Sequence, residues 1–112
     1  MTFAVCDLIG GAVASGSRVQ VRGWLTVLGD GRQYVADDEA LEGGCQIEVR
    51  QSRLLEILER FVPAATVGSS VLYHVRSLLD ATYFDSDGGA FVRVHGGIAF
   101  DSLEDEWPFV VD

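Results

Sequence analysis

One stretch decides the fold: Arg18-Val19-Gln20-Val21-Arg22-Gly23-Trp24-Leu25-Thr26-Val27-Leu28. Val19, Val21, Leu25 and Val27 fall on one side, and Arg18, Gln20, Arg22 and Thr26 on the other, with Trp24 among them. A period of two is the mark of a half-buried β-strand, because successive side chains of extended backbone point to opposite faces. Gly23 stands mid-strand, where glycine signals a bulge or a sharp bend.

Working outward, Gly29-Asp30-Gly31 is a hairpin turn signal, and a second strand follows over about 32–37. An acidic loop then carries Asp37, Asp38, Glu39 and Glu42 and closes on Gly43-Gly44. Residues 45–50 alternate without a fault and read as a third strand. Ser52 is placed to cap a helix that runs to about Val62, before Pro63. Its apolar set is Leu54, Leu55, Leu58, Phe61 and Val62, opposite Arg53, Glu56, Glu59 and Arg60. Residues 70–84 read as a fourth strand, Asp85-Ser86-Asp87-Gly88-Gly89 as a turn, and 90–100 as a fifth strand. At the other end, Thr2 is placed to cap a short helix within residues 1–14, reaching about Ile9 and burying Phe3, Cys6 and Ile9. Residues 101–112 form an acidic tail whose Trp107-Pro108-Phe109 either folds back over the barrel or offers apolar anchors to a partner. With 112 residues, no repeat and no linker, the chain is one domain spanning 1–112.

Three strands, a helix and two strands, with glycine in a long first strand, resemble the OB-fold. The class expected is therefore mainly β (α+β): a five-stranded OB-like Greek-key barrel with a helix between strands three and four. The first strand of such a barrel serves two sheets, and Gly23 would allow it to bend. A second resemblance rests on Val19-Gln20-Val21-Arg22-Gly23-Trp24-Leu25, a V-x-V-x-G-x-L stretch, together with the short opening helix. Over roughly residues 5 to 100 the chain is similar to small immunity proteins of bacterial contact-dependent inhibition and other polymorphic toxin systems. That resemblance implies a role, inhibition of a cognate toxin, and brings no site residues with it.

Charge narrows the partner. Seventeen acidic residues against eight basic ones, all arginine, leave a net −9. The charge is local: residues 1–29 carry +1, 30–44 carry −4, 45–76 carry +1 and 77–112 carry −7. A sequence-independent grip on nucleic acid needs a basic face, which this balance opposes. A hydrophobic share of 48% excludes a disordered acidic tail. The apolar runs fall well short of the ~20 residues that span a bilayer, and the start lacks a basic leader region. A cytoplasmic protein with no membrane partner is the expectation.

Chemistry is sparse. Cys6 and Cys45 lie far apart with no CxxC and no neighbouring histidine, so two buried free thiols are expected rather than a disulfide or zinc site. A hairpin centred near Asp87 would set His74 and His95 about five residues out of register, roughly 15 Å apart at ~3.3 Å per residue. That separation is too wide for a shared metal. The chain has no G-x-S-x-G elbow, no phosphate loop and no complete calcium loop, and without lysine no Schiff-base chemistry. No enzyme activity, cofactor or metal is expected.

The expected function is that of an immunity protein masking a basic toxin domain, such as a nuclease, through an acidic surface. The residues assigned to it are Asp37, Asp38, Glu39, Glu42, Asp101, Glu104, Asp105, Glu106 and Trp107, with Tyr83, Phe84 and Phe109 as further apolar anchors. The alternative is single-stranded nucleic-acid binding on a platform of Arg18, Arg22, Arg32, Trp24 and Tyr34.

Overall fold

The computed structural model describes residues 2–38, 44–51, 53–61, 71–100 and 105–111. In chain order the elements are β1 (Thr2–Phe3), α1 (Val5–Ile9), β2 (Arg18–Leu28), β3 (Gln33–Ala36), β4 (Gln46–Val49), α2 (Leu54–Phe61), β5 (Val71–Ser86), β6 (Gly89–Phe100) and β7 (Glu106–Val110). The protein is mainly β.

The alternating stretch is one strand, β2, and it pairs antiparallel with β5 from Arg18↔Thr82 to Leu28↔Val71. Its other edge is divided: β1 lies parallel to it at Gln20 and Val21, and β3 antiparallel from Trp24 to Val27. β3 pairs with β4, β4 runs parallel to β6, and β6 pairs with β5, so the pairings close into a ring. The inward side chains of β2 and β5, including Val21, Leu25, Leu79 and Ala81, are fully buried. Leu54 and Leu58 of α2 join the same core.

The parallel β4–β6 seam is two residues long, Glu48↔Phe91 and Val49↔Val92. A side chain extends it. Gln51 accepts the Val94 N–H at 2.7 Å and donates to the Val94 carbonyl at 2.6 Å, as a neighbouring strand would. β7 takes the rest of the β6 edge, from Gly96 to Phe100. Backbone groups buried at a sheet edge need such partners.

Several expectations are corrected here. Gly23 does not mark the irregularity in β2: it pairs regularly with Ser77, and the register shift falls between Val27 and Leu28. Gly23 is required by a close approach instead, since a Cβ there would lie 2.6 Å from the Ala36 carbonyl oxygen and 2.8 Å from Val35 Cγ1. Thr2 caps no helix. It lies in β1 and its hydroxyl donates to Gln20 Oε1. In α1 the buried residues are Val5 and Leu8, whereas Cys6 is exposed and Ile9 is 48% exposed. The buried face differs from the expected one because the helix is entered at Val5, not at Thr2. In α2, Phe61 is 45% exposed rather than core; Ser52 and Val62 lie outside the described residues. The tail supplies a strand, β7, that alternation did not reveal because Pro108 and the acidic run mask it. Finally, Cys6 and Cys45 are joined as a disulfide with Cα atoms 5.2 Å apart, in place of two free buried thiols.

Three substitutions test this packing. Gly23→Ala should destabilise by about 1–3 kcal/mol, because the backbone of β3 must move to admit the methyl. Gly88→Ala, whose added Cβ would find nothing closer than 3.9 Å, should stay within about 0.5 kcal/mol of the parent in urea unfolding. Gln51→Leu should cost about 1–3 kcal/mol by leaving Val94 without its N–H and C=O partners, read as a lowered denaturation midpoint.

Candidate protein-binding face

Paired residues on neighbouring strands point to the same side of a sheet, so the register fixes which side chains share the outer face. One row crosses four strands: Trp24 on β2, Arg76 on β5, Phe100 on β6 and Glu106 on β7. The next row holds Arg22, Leu78, Ile98 and Pro108. Trp24 stacks on His74 with ring centroids 4.9 Å apart and planes 21° from parallel. Thr26 Oγ1 lies 2.9 Å from His74 Nδ1, which fixes the imidazole edge. The Arg76 guanidinium stands 5.5 Å from the Phe100 ring centroid, within range of a cation–π contact. Trp24, Leu78, Ile98 and Phe100 are half-buried, while Arg22 and Arg76 are exposed. Neither arginine makes an ion pair with a described residue. The result is an aromatic and aliphatic patch that carries two cations.

The acidic residues stand at the margins of this patch. Ala36 pairs with Trp24 and is followed by Asp37 and Asp38; at the opposite side Asp105 and Glu106 enter β7, and Glu106 pairs with Phe100. Asp38, Asp105 and Glu106 are exposed. Asp37 is committed elsewhere: its Oδ1 accepts the Val5 N–H at 2.6 Å and its Oδ2 the Cys6 N–H at 2.9 Å. It thus serves as a remote cap for α1 rather than as a free contact residue. Glu39, Glu42, Asp101 and Glu104 lie outside the described residues. Trp107 pairs with Ala99 and packs against the core, as Phe109 does at 2% exposure. Tyr83 is also core, on the inward parity of β5, and burial pushes its phenol pKa up. Phe84 stacks on Phe91 at 5.1 Å, and Arg50 covers Phe91 at 4.1 Å.

The cations of the alternative platform are largely spent. Arg18 is held by Asp80 at 2.7 Å, and Arg32 by Asp30 at 2.8 Å. The two histidines each meet a threonine hydroxyl, His74 that of Thr26 and His95 that of Thr82 at 2.7 Å. A cleft of about 610 Å³ opens over β3 and β4, lined by Asp30, Arg32, Gln33, Tyr34, Gln46 and Glu48 among others. Gln33 there is turned to the carbonyls of Val49 and Gln51. The described residues lining the cleft include no cysteine, serine or histidine.

Alternation within a strand puts Trp24 on the side of Arg22 and Thr26, but it does not set Trp24, His74 and Arg76 beside one another. Their adjacency, and the inclusion of Phe100, follows from the β2–β5–β6 register, which periodicity within a strand does not contain. No protein-family model matches the chain, and no curated protein matches it by sequence. Among the described residues no helix is long and apolar enough to cross a membrane.

The Arg18–Asp80 pair gives a pH signature. The Arg18 guanidinium holds the Asp80 carboxyl below its ordinary value, chiefly by hydrogen bonding. A carboxyl lowered in this way stabilises the fold above its unfolded pKa of about 4 and loses that contribution as pH falls through the folded value. Asp80→Asn should therefore be slightly less stable than the parent at pH 7. The two thermal melting curves should converge on acidification, and also in about 1 M salt, where exposed charges are screened.

Proposed function

We propose that the chain is an OB-like protein-binding domain acting as an immunity protein, which neutralises a cognate bacterial toxin with a basic surface. Supporting the OB-like reading are the ring order β2-β3-β4-β6-β5, the parallel β4–β6 pair and the placement of α2 between β4 and β5 in sequence. One observation carries the functional reading: the Trp24–Arg76–Phe100 patch has an exposed acidic residue on either side, Glu106 in its own row and Asp38 two positions past Ala36. Tryptophan and arginine dominate protein-interface hot spots when seated in a half-buried apolar centre. Acidic margins accelerate encounter with a basic partner and reject polyanions. The contact is accordingly placed on the outer face of β2, β5 and β6, with Asp38, Asp105 and Glu106 at its rim. A nucleic-acid strand would meet Arg22 and Arg76 but also the acidic rim, and the Trp24 ring is already stacked on His74.

The test expresses the protein encoded immediately upstream in a heterologous bacterial host, with and without this chain. Growth arrest relieved by co-expression, with a complex that co-elutes, is the expected result. Trp24→Ala and Arg76→Ala should each cost about 2 kcal/mol or more of affinity and weaken the rescue. Added salt should lower the association rate while leaving dissociation nearly unchanged. Failure of rescue by a well-folded chain would overturn the reading, and low-salt binding of labelled oligonucleotides that Trp24→Ala abolishes would replace it with the nucleic-acid one.

A further inference from the structure

Cys6, Asp37 and Cys45 come from three separate segments yet meet at one point. Cys6 lies in the first turn of α1, Asp37 directly follows β3, and Cys45 directly precedes β4. The Asp37 N–H donates to the Cys45 carbonyl at 3.2 Å, which brings the two ends of the acidic loop together. The Asp37 carboxylate, bonded to the Val5 and Cys6 N–H groups, fixes α1 against them. One ligand atom from each of the three residues lies within 4.8 Å of the other two. Cys6 is exposed, so solvent and small reductants reach the disulfide.

Two sulfurs and a carboxylate oxygen held by backbone anchors are a ligand set for a thiophilic divalent cation once the sulfurs are free. We propose that reduction of the Cys6–Cys45 disulfide turns this strap into a metal site for a Zn²⁺-type cation, with the Cys6 and Cys45 thiolates and the Asp37 carboxylate as ligands and a fourth position left to solvent. The step balances. A dithiol or phosphine reductant supplies two electrons and is itself oxidised, the S–S bond breaks, and two protons complete the thiols. Binding of the cation then releases both protons to solvent. Two sulfurs at ~2.3 Å from a tetrahedral ion stand about 3.8 Å apart, a spread that χ1 rotation provides from Cα atoms 5.2 Å apart. The electrostatic reason is simple: two thiolates beside a carboxylate repel unless a cation lies among them. The disulfide and the metal are thus alternative ways of tying α1 to the β3 and β4 ends, suited to oxidising and reducing surroundings respectively.

The experiment uses the full chain, reduced with a phosphine, freed of reductant under anaerobic conditions and titrated with Co²⁺ as a spectroscopic probe. A near-ultraviolet thiolate-to-cobalt charge-transfer band should rise and saturate at one ion per chain, and Zn²⁺ should bleach it. The oxidised chain should show no band, a comparison that needs no variant. Cys6→Ser and Cys45→Ser should lose it. Asp37→Asn, which keeps one of the two oxygens that cap α1, should retain the band but shift the titration to higher Co²⁺. Zn²⁺ should raise the melting temperature of the reduced chain and not that of the oxidised one. A reduced chain without the band, or a band indifferent to Cys6→Ser, would overturn the proposal. An unshifted titration in Asp37→Asn would overturn the carboxylate's place in it.

Discussion

The β2–β5 ladder is the constraint on which the rest of the molecule depends. From Arg18↔Thr82 to Thr26↔His74 each pair sets one residue of β2 against one of β5 without a break. Because the side-chain period is two, slipping this register by one residue would turn Val19, Val21, Leu25 and Val27 outward and bury Arg18 and Arg22. The free energy opposing that slip is large, since each fully buried Val or Leu contributes about 1.5–3 kcal/mol. The same register that protects the core also sets Trp24 against Arg76 and, one strand further, Arg76 against Phe100. The candidate interface is therefore a by-product of core parity: whatever selects the inside of this ladder selects the outside too.

Much of the fold was legible in single segments. The inward faces of β2 and β4, the turn at 29–31, the reversal within 85–89, and the burial of Leu54 and Leu58 all follow from signals readable within ten residues or so. What was not legible required knowledge of distant partners. Five residues of α1 are too few to form a helix unaided, and its orientation comes from Asp37, some thirty positions away in sequence, so its own pattern misled. Cys6 and Cys45 look unrelated along the chain, and only the return of β3 into β4 brings them together. β7 alternates in exposure, but Pro108 and the apolar Val110 on its exposed side hide that alternation in the sequence. The acidic residues were read correctly as concentrated in two segments, but their positions relative to the aromatic patch depend wholly on register.

Closure of the ring is achieved economically. β2 and β6 each divide one edge between two short partners, β1 and β3 on the first and β4 and β7 on the second. Such divided edges leave gaps where backbone groups would otherwise lack hydrogen bonds. Gln51 fills the gap on β6, and β7 continues to Val111, whose N–H donates to the His95 carbonyl at 2.8 Å. On the β2 side the gap lies next to Gly23, where β3 approaches so closely that no side chain fits. Both solutions are specific to one residue type, which makes these seams less tolerant of substitution than the strands they join.

The geometry also bears on what kind of molecule the outer face suits. Neighbouring strands lie about 4.8 Å apart, so the row from Ala36 to Glu106 spans four intervals, roughly 20 Å along the curved surface. At physiological ionic strength the screening length is about 8 Å. The acidic groups after Ala36 and those at Glu106 therefore act as two separately screened lobes, not as one field. Between them Arg22 and Arg76 reverse the sign locally. A polyanion of uniform charge gains from the centre what it loses at both margins. A folded protein can place cations at two points some 20 Å apart and an apolar or acidic group between them, and so satisfies all three regions at once. On the proposed reading, the change of charge sign across the patch, from Asp38 through Arg22 and Arg76 to Glu106, weighs more than the total of −9.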